Sequence, residues 1–300
     1  MLDDWRVDKS GEISDNFGNS HDMSHSGRIG NLITINGKKM EAFSVRKGER
    51  IRLRLINAAN ARIFSLDFQN HNPVIIAMDG QPVTPHPPKG GQVLIGPAMR
   101  IDLILDMTEE ARSDHPIIDR FYQGLEYKLT SLKYAKKQLR DKTPDWSMQL
   151  PANSLPEPDL KNAERHDVLF SGGMMGGMTM RQMGLGGMKQ TSMMGQMHSK
   201  NVWFINGVAA DGHVLDPMLM LGLNRSHIIS MTNATAWHHP IHLHGHSFRV
   251  LSRDGTPTIH QEWQDTVLMA PKEKIEIAFV ADNPGDWMFH CHVLEHAASG

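Results

Sequence analysis

The 300-residue chain contains a single cysteine, so no intramolecular disulfide can form and cysteine usage gives no sign of an oxidising compartment. Charge of neither sign dominates. A net charge of -2 with 21% charged residues points to no nucleic acid and no anionic membrane as partner. Long apolar runs are also missing, and without about 18 consecutive apolar residues no membrane-spanning helix is expected. The opening "MLDDWRVDKSGEISDN" is polar and acidic, with neither the basic n-region nor the apolar h-region of a secretory signal. Aromatic residues reach only 6%. Against these shortages stand 18 histidines and 21 methionines, an excess of side chains with affinity for metals.

Short alternating or apolar runs, each closed by Asn, Asp or Gly, fill the first part: "RIRLRLINA" (50–58), "RIFSLDF" (62–68), "PVIIAMDG" (73–80) and "MRIDLILDM" (99–107). Strands at such spacing with no helical periodicity between them predict a sandwich or barrel. "GNSHDMSHSG" (18–27) reads as a polar loop. The pattern weakens from about 118 to 165, where the Pro-rich "LPANSLPEPDL" suggests an inter-domain connection with one short helical turn. A second β region starts at "HDVLFSGG" (166–173) and, after a Met- and Gly-rich interruption, resumes at "NVWFING" (201–207). "HIISMTN", "SFRVLSRDG", "TVLMA" and "KIEIAFVAD" follow. The expected layout is therefore all-β: one domain over 1–125, a linker over 126–165, and a second domain over 166–300 with an insertion at 174–197.

Histidines concentrate in "WHHPIHLHGHSF" (237–248) and "FHCHVLEHAASG" (289–300). Residues two apart on a strand share a face, so His242, His244 and His246 project together while His239 points elsewhere. By the same rule His290 and His292 share a face and Cys291 takes the opposite one, with His296 within reach of the cysteine. Two ligand sets follow. One is Cys291 with His239 and His296, a trigonal set typical of blue-copper electron transfer. The other is made of imidazoles alone: His242, His244, His290 and His292. A lone His or Cys is usually a packed or surface residue, but eight His and one Cys in two short segments weigh against that reading. A structural zinc site would leave the extra histidines unexplained.

"HPIHLHGH" (239–246) and "HCHVLEH" (290–296) resemble the two C-terminal copper signatures of the multicopper oxidases, the laccase and cuprous oxidase family. The resemblance extends over the chain, with "LDDWRV" and the strands after it similar to the family's middle cupredoxin domain and 166–300 to its last. It implies two cupredoxin-like Greek-key β-sandwich domains, the first without copper ligands. It further implies that His239, Cys291 and His296 bind the type 1 copper, His242 the type 2 copper, and His244, His290 and His292 the type 3 pair. His246 is not a ligand in the family and is expected to be structural. Asp265 in "EWQDTV" matches an acid that hydrogen-bonds a type 1 histidine and orients it.

The implied activity is one-electron oxidation of Cu(I), phenols or similar donors at the type 1 copper, coupled to reduction of dioxygen to water at a trinuclear centre. The family's trinuclear centre also takes two His-x-His pairs from an N-terminal domain. His21, His25, His71, His86 and His115 read as isolated and do not supply them. The family's axial position would fall one residue beyond Gly300. The chain is thus expected to be a fragment, not competent alone, of an exported periplasmic or secreted oxidase. The alternative is a non-catalytic copper-binding or electron-transfer module. Nine methionines between 174 and 197, among glycines, are expected to form no helix and to offer soft thioethers to additional copper.

Overall fold

The computed structural model describes residues 1–146, 148–186, 202–210 and 216–300. The chain divides into two compact units, one of Met1–Ile13 with Gly30–Asn153 and one of Ser14–Ile29 with Ser154–Gly300. Among the described residues both are built almost wholly of strands.

The first unit contains β1 (Leu2–Trp5), β2 (Leu32–Ile35), β3 (Phe43–Val45), β4 (Arg50–Ile56), β5 (Phe64–Asp67), β6 (Val74–Met78), β7 (Gln81–His86), β8 (Gln92–Ile95), β9 (Arg100–Asp106), β10 (Asp114–Asp119) and β11 (Tyr127–Tyr134). A five-stranded sheet runs β3-β11-β10-β5-β8, a four-stranded sheet runs β4-β9-β6-β7, and β1 and β2 form a ribbon. Period-two alternation explains the burial along β9. Ile101, Leu103 and Leu105 are buried, while Asp102 and Asp106 on the other face pair with Arg52 and Arg50 of β4 at 2.6 and 2.7 Å. Phe64, Leu66, Val93 and Ile95 are among the buried side chains of the five-stranded sheet.

The second unit contains α1 (Ser20–Ser24), β12 (Glu164–Gly172), α2 (Gly176–Gln182), β13 (Trp203–Ile205), β14 (Ser226–Asn233), β15 (His239–Leu243), β16 (Phe248–Arg253), β17 (Thr256–Pro257), β18 (Trp263–Gln264), β19 (Thr266–Met269), β20 (Lys274–Val280), β21 (Phe289–Cys291) and α3 (Leu294–Ala298). Its seven-stranded sheet runs β13-β12-β14-β20-β16-β17, with β18 paired to β16. The smaller sheet runs β19-β15-β21 and carries both histidine segments side by side. Ile228, Ile229 and Met231 of β14 and Ile275, Ile277 and Phe279 of β20 are buried, each at most 1% exposed.

Four segments differ from what the sequence suggested. Residues 127–134, expected in the linker, form β11 inside the first unit, because Leu132 and Tyr134 bury themselves and β3 pairs alongside. Residues 14–29, expected within the first domain, belong to the second unit. The loop at 18–27 contains helix α1, whose first turn is capped by the Asn19 side chain accepting from the Asp22 amide. The methionine segment forms helix α2 at residues 176–182, where burial of Thr179 and Met180 overrides the weak propensity of its two glycines. Met188, Met193, Met194 and Met197 lie outside the described residues.

Candidate metal centres

β15 lies between β19 and β21, so its register decides which side chains meet. Ile241 faces Cys291 and His242 faces His290 across one ladder, while His239 faces Met269 and His242 faces Thr266 across the other. Side chains alternate along a strand, which sends His239 and Cys291 to one face of this sheet and His242 and His290 to the other.

On the first face, His239 Nδ1 lies 3.3 Å from His296 Nδ1, and Cys291 Sγ lies 3.5 Å from His296 Nδ1. The three donor atoms all fall within 4.8 Å of one another. His296 comes from α3, which follows β21 directly, and is 1% exposed; His239 is 3% exposed. Their tautomers are set by what the other ring nitrogens meet. His296 Nε2–H donates to the His25 carbonyl at 2.7 Å. Thr235 uses its hydroxyl hydrogen on Asn233 Oδ1 at 2.7 Å and so accepts from His239 Nε2–H at 2.9 Å. Both Nδ1 lone pairs are thereby left facing the thiol. Trp203 walls the group, its ring 4.2 Å from His296 and 5.0 Å from His239.

Burial governs protonation here. It pushes the Cys291 thiol up to about 12 and brings His296 down to about 4. His239 falls well below the usual histidine value, first from burial and then from repulsion by His296 and His238. The site is therefore two neutral imidazoles and a neutral thiol at pH 7, a soft and borderline donor set poised to exchange one proton for a cation.

On the opposite face, four imidazoles gather. The His244 and His242 rings are 4.6 Å apart, His244 and His290 5.1 Å, His290 and His292 5.6 Å, and His242 and His292 6.0 Å. His244 Nε2 and His290 Nε2 approach to 3.0 Å, while His290 Nδ1–H donates to the Cys291 carbonyl. Desolvation, reinforced by the neighbouring imidazoles, lowers His244, His290 and His292. His292 Nδ1 is buried and has no hydrogen-bond partner among the described residues. Such an orphan normally costs about 1–3 kcal/mol, and a metal ion bound at that nitrogen would remove the cost. Both donor sets thus fit copper.

The turn out of β15 depends on Gly245. Its φ is +75°, and a Cβ there would meet the Trp287 ring at 2.4 Å. His246 lies beyond this turn with its ring 5.2 Å from Phe279 and 6.3 Å from Trp287. Asp265 requires a correction. Its carboxylate lies 3.5 Å from His242 Nδ1 and accepts from Thr266 Oγ1, so its place is beside the imidazole set and not against His239 or His296. The reason is register: Thr266 stands opposite His242, whereas His239 is three positions away opposite Met269. Nor are His21, His25, His71 and His115 isolated in space. His21 stacks on His25 at 4.1 Å in the second unit, and His71 meets His115 at 5.3 Å in the first.

Thr235, Trp203 and the His25 carbonyl escaped sequence reasoning. Thr235 stands four residues before His239, which is a usable signal for a side chain orienting a ligand. The bond from His296 to His25 spans 271 residues and leaves no mark in the sequence.

An all-β protein with a buried thiol and imidazole set on one face of a small sheet and an imidazole cluster on the other is a cupredoxin-type metalloprotein. Residues 1–136 and residues 182–300 each match a family described as multicopper oxidase. The multicopper oxidase MmcO of Mycobacterium tuberculosis is 29% identical over 273 residues, covering 89% of this chain and 48% of that protein. The multicopper oxidase mco of Staphylococcus haemolyticus is 24% identical, covering 96% of this chain and 55% of that one. The crystal structure of a multi-copper oxidase from Pseudomonas thermotolerans superposes with a TM-score of 0.81 at 30% identity, covering 100% of this chain and 64% of that one. The chain belongs to the multicopper oxidase family, whose cofactor is copper and whose domains are cupredoxin-like β-sandwiches. It spans about half the length of these curated relatives.

Proposed function

We propose that this chain carries the electron-accepting site and part of the dioxygen-reducing site of a copper-dependent oxidase acting on Cu(I), phenols or similar one-electron donors. Copper, when bound, would supply a one-electron acceptor at His239, Cys291 and His296, and a centre for reducing dioxygen to water at His242, His244, His290 and His292. The supporting observation is the alternation at β21. Cys291 faces one donor set while the residues on either side of it, His290 and His292, stand in the other. One peptide unit in each direction therefore connects the two sets covalently.

The chain's own residues prepare both sites. Thr235 and the His25 carbonyl hold His239 and His296 in the tautomer that presents Nδ1. Trp203, Phe170 and the core beneath them exclude water from the thiol, which raises the strength of any electrostatic interaction made there. The main-chain carbonyl of Asp265 accepts from His242 Nδ1–H at 2.9 Å, leaving Nε2 as its donor. Met174, Met175 and Met178 are exposed thioethers in the same unit, suited to capture of further Cu(I). An exported location, periplasmic or secreted, belongs to this reading by resemblance. Among the described residues no helix is long and apolar enough to cross a membrane.

The test is to load the purified chain with copper, count metal per chain, record the thiolate-to-copper charge-transfer band and measure dioxygen consumption. A blue band that disappears in Cys291→Ser is expected. A band surviving in that variant would refute the assignment of Cys291. One copper with a band and no oxygen consumption, even with a donor present, would reduce the reading to an electron-transfer module.

A further inference from the structure

A second group of metal-type donors lies away from both copper sets, on the large sheet of the second unit. Glu164 and His166 occupy the start of β12, and His227 lies on β14, which runs parallel to it with Glu164 opposite His227. Residues 164, 166 and the partner of 164 share one face of the sheet by the period-two rule. His166 Nε2 lies 3.1 Å from His227 Nδ1, and Glu164 Oε2 lies 3.8 Å from the same atom. The three donor atoms all fall within 4.8 Å of one another.

We propose that Glu164, His166 and His227 bind a divalent transition-metal ion of borderline softness, of which zinc(II) is the representative. Two imidazoles and one carboxylate form a recurrent three-ligand set for such ions, with water in the fourth position. Metal–nitrogen bonds of about 2.0–2.1 Å place tetrahedral donors about 3.3 Å apart, between the two separations seen here. The tautomer at the buried end is already correct. His227 Nε2–H donates to the Gly222 carbonyl at 3.3 Å, which leaves the Nδ1 lone pair directed at His166 and Glu164. His227 is fully buried, whereas the Glu164 side chain is 46% exposed, so one wall is fixed by the core and the other is open to entry.

β13 pairs only with residues 170–172 of β12, so Glu164 and His166 stand at a free edge among the described residues. Arg225 Nε lies 3.9 Å from Glu164 Oε1, which occupies one carboxylate oxygen and leaves Oε2 for the imidazoles. To bind, His166 has only to carry its proton on Nδ1 in place of Nε2. The ion would tie the first residues of β12 to β14, at the point where the chain enters the second unit's sheet.

The experiment equilibrates the full chain, wild type and His166→Ala side by side and without copper, with zinc(II) alone, so that the donor sets common to both cancel in the comparison. Wild type is expected to retain one zinc per chain more than His166→Ala, and Glu164→Gln to weaken zinc binding at least tenfold. Crystals soaked in zinc should show an anomalous peak between Glu164 Oε2, His166 Nε2 and His227 Nδ1. Equal zinc content in wild type and His166→Ala, or a peak elsewhere only, would overturn the proposal. Far-UV circular dichroism establishes that the variant is folded. If it is not, the Glu164→Gln titration and the wild-type anomalous map decide the question.

Discussion

Copper binding at His239, Cys291 and His296 should release one proton per ion at neutral pH, because the ligand that carries the charge starts as a thiol. Burial holds Cys291 up to about 12, so at pH 7 the cation must displace a proton across five pH units, about 7 kcal/mol at 1.36 kcal/mol per unit. His296 lies at about 4 and His239 well below its usual value, so neither carries a proton to lose. Between pH values of about 5 and 9 the affinity should therefore rise about tenfold per pH unit. Below His296's value of about 4 a second proton competes and the slope steepens. The assay is a titration against a competing chelator at several pH values, read on the thiolate-to-copper band, which reports this site and not the imidazole cluster. Calorimetry in buffers of different ionisation enthalpy counts the released proton directly. In Cys291→Ser the band should vanish and proton release at this site should fall to about zero. A wild-type affinity that stays flat between pH 6 and 8 would show that the cysteine is already a thiolate, and the desolvation reasoning would be wrong.

Two further outcomes are expected. Thr235→Val keeps the shape of the residue but removes the acceptor of His239 Nε2–H, so copper affinity read on the same band should drop about 10–100-fold and urea unfolding should show a loss of about 1–3 kcal/mol from the buried N–H left unpaired. In the first unit Asp4 accepts from Arg62 Nε at 2.9 Å, with the two side chains 1% and 9% exposed. Asp4→Asn leaves the guanidinium buried without its charge partner and should cost about 3–5 kcal/mol in denaturant unfolding, whereas the paired change Asp4→Leu with Arg62→Met should recover much of that loss.

The strands most legible in the sequence were those whose two faces differ most. "RIRLRLINA" and "MRIDLILDM" alternate charge with aliphatic residues, and they pair as β4 and β9 with the charges matched across the ladder. β11 was not legible, because "YKLTSLKY" buries Thr130 and Ser131 next to Leu132 and so carries no clean alternation. Helix α2 was hidden for a different reason. Its glycines have poor propensity, and only packing of Thr179 and Met180 rewards the helical turn. Of the candidate sites, the residues proposed to bind copper were named by spacing and resemblance, and the structure gathers them as two groups on opposite faces of one small sheet.

The sequence by itself determined which side chains take each face, since two-residue alternation around Cys291 is a covalent property of an extended strand. Only the tertiary structure decided which neighbours tune them. Strand register set Asp265 beside His242, a residue far away in sequence supplied the carbonyl that fixes His296, and a parallel pairing of β12 with β14 brought Glu164 and His166 to His227. Those contacts come from long-range pairing, which local pattern does not encode, and they decide tautomer, protonation and dielectric at each site.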